Sequence, residues 1–178
     1  MELAPLISGQ GWIYHPLYFG RVRLIQFLLR RERRKRVEWF RDRYNDIRKQ
    51  YGDIRISVIA HSYGTYMVTR TLEVYPHIKI DELILCGSIV RRDFDWDQLF
   101  RRGQVGRIRN DYGRKDSWAG IVNLVVPGTG PSERDGFASE HDRLLDEEFE
   151  HYGHNSVFGY DHYLEHWIPF LKDPVSIG

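Results

Sequence analysis

The stretch "ISVIAHSYGTYMVTRTLE", residues 56–73, begins as a strand and ends as a helix. Ile56, Val58, Ile59 and Ala60 form an apolar, partly β-branched run short enough for an inner strand. Beyond the corner, Met67, Thr71 and Val74 recur at helical spacing, as do Val68 and Leu72. Ser62 stands between the two patterns. A strand turning directly into a helix puts this serine at the carboxyl edge of a sheet, beside a helix N-terminus. Open α/β sheets bind ligands at that edge, and the helix end stabilises negative charge there.

Working outward from this corner, strand and helix patterns alternate. A helical region spans about Val22 to Gln50, with Val37, Phe40, Tyr44, Ile47 and Tyr51 as its apolar stripe and Gly52 as its stop. "WIYHPLYFG" (12–20) reads as a short strand running into a turn, and 54–60 as the strand before Ser62. The helix after it covers roughly 64–74 and ends before Pro76. "DELILCGS" (81–88) is an apolar strand. "QVGRIRNDYG" (104–113) is another, with Val105 and Ile108 inward. After "SWAGIVNLVV" and the Gly/Pro loop "PGTGPSERDGF" come a polar strand-like "EEFEHYG" and a last helix, "YDHYLEHWIPFL". The expected fold is α/β, a mainly parallel sheet with helices on both faces, in a single domain over 1–178.

Bulk properties narrow the function classes. The chain has 178 residues, 42% hydrophobic and 14% aromatic, enough for a sizeable core. A net charge of +1 supplies no field to draw nucleic acid. No apolar run approaches the roughly 20 residues of a membrane span, and the N-terminus lacks the pattern of a signal peptide. The one cysteine, Cys86, cannot form an intramolecular disulfide, which points to a reducing, cytoplasmic setting. The basic cluster Arg30, Arg31, Arg33, Arg34, Lys35 and Arg36 is interrupted by Glu32 and followed by Glu38 and Asp42. It reads as a solvated helix face rather than a phosphate site.

The chemistry concentrates at the corner. "AHSYG" fits a small-x-Ser-x-Gly elbow, in which Ala60 and Gly64 keep bulk away from a strained serine backbone. The backbone N–H of Tyr63, at the head of the helix, is a candidate oxyanion donor. A serine hydroxyl needs a base, and the base needs an orienting acid. Asp116 in "YGRKDSW" follows the strand ending near Tyr112 and lies at the same sheet edge as Ser62; Asp111, closer to the strand end, is the alternative acid. Of eight histidines, His154 in "YGHNSVF" is the candidate base, since it sits in a Gly/Asn/Ser loop before the last helix. His151 is expected inside the strand, and His61 to pack locally.

"ISVIAHSYGTYMV", "ELILCGSIV", "YGRKDSWAG" and "YGHNSVF" together resemble the α/β-hydrolases, the esterase and lipase-like serine hydrolases, over about residues 12–171. The resemblance implies Ser62 as nucleophile, His154 as base and acid, Asp116 as the orienting carboxylate, no cofactor and a small acyl-ester substrate. One departure stands out. Such hydrolases carry an earlier strand whose loop donates the second oxyanion N–H, and only about 60 residues precede Ser62. "ISGQGW" is the one candidate loop. The expectation is a chain that begins after that strand. It would hydrolyse esters slowly and associate through its exposed sheet edge with a second copy or with additional N-terminal sequence. The competing reading is a hydrolase-like module that binds a partner. "DFDWDQLF" (93–100) would be its contact surface, or else a lid whose Phe94, Trp96, Leu99 and Phe100 line an acyl pocket. "HYLEH" (162–166) matches an H-x-x-E-H zinc pattern, but too little chain follows for a further ligand, and its histidines are expected at the rim of a core-packed helix.

Overall fold

The computed structural model describes residues 3–20, 29–113, 136–149 and 158–173. Four strands, β1 (Val58–His61), β2 (Ile80–Cys86), β3 (Val105–Tyr112) and β4 (Leu144–Glu148), form one sheet in the order β1-β2-β3-β4. All three pairings are parallel. Every strand therefore ends at one edge of the sheet, and the chain leaves β1, β3 and β4 on the side of Ser62.

Alternation along β2 sorts the helices onto two faces. Leu83 and Leu85 point into a core shared with α2 (Arg30–Tyr51), α3 (Tyr63–Val74) and α4 (Trp96–Arg101). Ile84 and Cys86 point into a second core. This one is covered by α1 (Leu3–Gly9) and a C-terminal helix built from α5 (Tyr160–His162), a π-helical turn (Tyr163–Trp167) and α6 (Ile168–Lys172). Leu83, Ile84 and Leu85 are each 0% exposed. That explains why "ELILC" is a continuous apolar run rather than an alternating one. Each such side chain contributes about 1.5–3 kcal/mol on burial.

The stripe on α2 packs as its spacing requires, with Val37, Phe40 and Tyr44 buried. Gly52 closes the helix with a φ of 74° while its N–H donates to the Arg48 carbonyl at 2.9 Å. Side-chain bonds fasten α2 to its neighbours: Arg41 Nη1 donates to Tyr75 Oη at 3.0 Å, and Tyr44 Oη to the Lys79 carbonyl at 2.9 Å. Most of the basic cluster is solvated, with Lys35 on Glu32 at 2.7 Å and Arg34 on Glu38 at 3.5 Å. Arg33 departs from that reading, for it is buried, and Arg36 donates to the Phe19 carbonyl.

Several expectations are corrected. Residues 12–20 form no strand; they are irregular chain without ladder bonds, Trp12 packing on the second core and Leu17 and Phe19 on the first. The aromatic spacing there reflects packing on two cores rather than a pleat. Phe94, Trp96, Leu99 and Phe100 line no lid or contact surface. All four are buried in the first core, with Asp95 capping α4 through the Gln98 N–H. The last strand begins at Leu144, ahead of "EEFEHYG". β2 and β3 approach so closely that a Cβ on Gly106 would lie 2.4 Å from the Asp81 carbonyl oxygen.

Candidate functional site

The corner at Ser62 is built by backbone bonds. Its N–H donates to the Cys86 carbonyl at 3.1 Å, extending the β1–β2 ladder one residue past His61. The chain then turns with φ 51° and ψ −122°, the only positive φ at a non-glycine among the described residues. Such a conformation costs on the order of 1–3 kcal/mol and persists only where the surroundings impose it. Here they do. The Ser62 carbonyl accepts from the Thr65 N–H at 3.0 Å and from Thr65 Oγ1 at 2.7 Å, so helix α3 starts at once.

Ser62 occupies the N-cap position of α3, yet its side chain makes no capping bond. Serine is among the preferred N-caps because its oxygen normally takes an N–H of the first turn, a contact worth about 0.5–2 kcal/mol. The turn at Ser62 carries the hydroxyl away from that role, and the residue is partly exposed. Tyr63 is the first residue of the helix, so its backbone N–H stands at the positive end of a 12-residue dipole. Burial pushes the Tyr63 phenol above its ordinary range. Its ring packs on Phe19 and stacks with Tyr66. Gly64 is less constrained than its motif position suggests. Among the described residues a Cβ there would meet only the Ala60 methyl, at 3.9 Å.

Asp116 and His154, with His151 and "PGTGPS", lie outside the described residues. β3 ends at Tyr112, before Asp116 in the chain, and β4 ends at Glu148, before His154. The two strand ends are joined by the Phe149 N–H donating to the Tyr112 carbonyl at 2.8 Å. "ISGQGW" forms the end of α1 and the turn after it, with Gly11 at φ 79° and Trp12 against the second core. Among the described residues β1 pairs with β2 alone.

The alternative acid, Asp111, sits in a buried network on the face covered by the C-terminal helix. It is 0% exposed. Its Oδ2 accepts from Trp167 Nε1 at 2.7 Å and lies within hydrogen-bond distance of His162 Nε2, at 2.8 Å. Oδ1 is 2.7 Å from Arg109 Nε, a contact with the distance of an ion pair but not hydrogen-bond alignment. Arg109 continues to Glu147 at 2.5 Å, and His166 lies 3.8 Å from the same carboxylate. His61, Cys86, Asp111 and Glu147 are register partners across all four strands, one level below the corner. Burial, with the Asp111 charge adding to it, holds the Cys86 thiol well above its usual range. It is therefore a packing residue rather than a thiolate.

His162 is buried rather than at the rim, and the network that claims it was not legible in the sequence. Its one signal was Asp111 and Arg109 on an inner strand, where charges need partners. His61 packs its ring on Phe158 at 4.8 Å. No group of three or more His, Cys, Asp or Glu residues arranged to hold a metal ion occurs among the described residues. Likewise, no described helix is long and apolar enough to cross a membrane.

What these observations define is a parallel α/β sheet with a strained serine corner at its carboxyl edge, backed by a buried ionic network. Comparison with protein-family models, with curated proteins and with solved structures finds no match to the chain.

Proposed function

We propose that the chain is a serine hydrolase acting on a carboxylic ester or related acyl substrate, through Ser62, His154 and Asp116. The observation that carries this reading is the Ser62 backbone, at φ 51° and ψ −122° in an N-cap that its hydroxyl does not serve. Strain of this kind gathers at functional sites because the fold must maintain it against a relaxed alternative. A strand-to-helix turn with a small-x-Ser-x-Gly sequence is where an exposed nucleophile is wanted.

In the proposed reaction His154 takes the Ser62 proton as Oγ attacks the acyl carbon, and the Tyr63 N–H donates to the developing oxyanion. The leaving alkoxide receives the proton from His154, and water then releases the acid by the reverse sequence. Asp116 holds the imidazole tautomer and stabilises its charged form. The reaction needs no cofactor. The proposed setting is cytoplasmic, with no nucleic acid partner. A second reading, a hydrolase-like module that binds a partner or pairs with another copy, is favoured by one feature: β1 has no second strand neighbour among the described residues.

A fluorophosphonate probe separates the two. The hydrolase labels at Ser62, loses labelling in Ser62→Ala, and labels at least about 100-fold more slowly in His154→Ala and Asp116→Asn. A folded chain that stays unlabelled refutes the hydrolase reading and leaves the binding module.

A further inference from the structure

Thr65 lies one helical turn beyond Ser62 and is 0% exposed. Its hydroxyl makes two bonds in opposite senses. It donates to the Ser62 carbonyl at 2.7 Å and accepts the Ile89 N–H at 3.2 Å. Threonine hydroxyls in helices ordinarily bond back to the carbonyl three or four residues earlier. Thr69 and Thr71 on the same helix do this, toward Thr65 and Met67 at 2.9 and 2.7 Å. Thr65 differs in using its lone pair as well, on a backbone group of another element.

Those bonds close a ring around the corner. From Ser62 N–H the path runs to the Cys86 carbonyl at 3.1 Å, along Gly87 and Ser88 to the Ile89 N–H, through Thr65 Oγ1, and back to the Ser62 carbonyl. Gly87 takes φ 51° at the start of that loop. Ser88 Oγ accepts the Val90 N–H at 3.3 Å, which tightens the loop's far side. Residues Gly87 to Val90 are all buried, so an unmade bond in this ring would not be replaced by water.

We infer that Thr65 is a positioning residue for the Ser62 hydroxyl, acting by locking the strained corner to the loop after β2. This inference rests on the hydrolase reading and extends it to a residue outside the triad. The positive φ at Ser62 requires that both its N–H and its carbonyl be held. The N–H is held by β2 and the carbonyl by Thr65. The Thr65 N–H also reaches that carbonyl, at 3.0 Å. Among the bonds between described residues, the hydroxyl is what ties that carbonyl to the Ile89 N–H of the loop. Without it the ring is open on the carbonyl side, and the direction of Oγ is less firmly fixed. A displacement of about 1 Å at a reacting group costs on the order of 100-fold in rate.

The experiment pairs Thr65→Val with Thr65→Ser. Valine keeps the shape and removes both hydroxyl bonds; serine restores them. Fluorophosphonate labelling of Ser62 gives the maximal inactivation rate separately from probe affinity, and amide exchange reads the Ile89 N–H. Thr65→Val is expected to lower the maximal rate about 10- to 100-fold with affinity little changed, and to speed exchange at Ile89. Thr65→Ser should return both towards the wild-type values. Wild-type labelling kinetics in Thr65→Val, unchanged Ile89 exchange, or a Thr65→Ser chain as impaired as the valine variant would each overturn the inference. A wild-type chain that does not label sinks the hydrolase reading, and the positioning role with it. Ile89 exchange then reports only whether the tether exists.

Discussion

Replacing Asp111 with asparagine keeps its shape and removes one charge from a buried polar network. The carboxylate faces donors on both sides, with Trp167 Nε1 at Oδ2 and Arg109 Nε at Oδ1, and His162 Nε2 lies beside Oδ2 as well. An amide cannot satisfy this arrangement, because whichever way it flips, its NH2 confronts a donor. Among the described residues Arg109, whose side chain is 4% exposed, would keep only Glu147, whose side chain is 36% exposed. Breaking a buried pair from one side costs about 3–5 kcal/mol. At about 2–4 °C per kcal/mol for a chain of this size, that is a fall of roughly 6–20 °C in Tm.

Urea unfolding followed by tryptophan fluorescence measures the loss, since Trp96 and Trp167 are both 0% exposed. Asp93→Asn is the control. That carboxylate is 79% exposed at 3.7 Å from Arg91, and its replacement should change stability by no more than about 0.5 kcal/mol. The labelling rate per folded molecule of Asp111→Asn should stay near wild type. Stability within about 1 kcal/mol of wild type would refute the structural role. If labelling were lost at the same time, and Asp116→Asn labelled normally, Asp111 would be the acid that orients His154.

Ser62→Gly should abolish labelling and yet raise stability by about 1 kcal/mol, because glycine adopts φ 51° without strain; a thermal melt lower than wild type would contradict the strain. Gly64→Ala should fold and gain up to about 1 kcal/mol from helix propensity, given that among the described residues the new methyl meets only Ala60, at 3.9 Å; a chain that fails to fold would show the elbow to be tighter than this contact indicates. Gly106→Ala should be poorly folded by circular dichroism, since its Cβ would lie 2.4 Å from the Asp81 carbonyl oxygen and the strands would have to part; a wild-type spectrum and melt would refute that.

Local patterns carried the strands and helices around Ser62. "ISVIAHSYG" places a strand, a corner and a helix start because short apolar β-branched runs and 3.6-residue stripes are properties of the chain itself. "ELILC" announced an apolar strand, and Gly52 a helix stop. Three things were settled only by contacts between segments distant in sequence. "WIYHPLYFG" has strand-like composition but no ladder partner, so it packs as irregular chain across two cores. "DFDWDQLF" looked like a surface because acids alternate with aromatics. In the fold, Phe94 and the α4 residues Trp96 and Phe100 turn inward, while Asp95 caps the helix and Asp93 and Asp97 are exposed. The ionic network at Asp111 joins β3 to residues 51 and 56 positions away. No periodicity encodes a partnership over that distance. The strain at Ser62 combines both sources. The sequence supplied a serine between small residues at a strand–helix corner. The positive φ is set by β2 holding its N–H and α3 its carbonyl, bonds that exist only once sheet and helix have assembled.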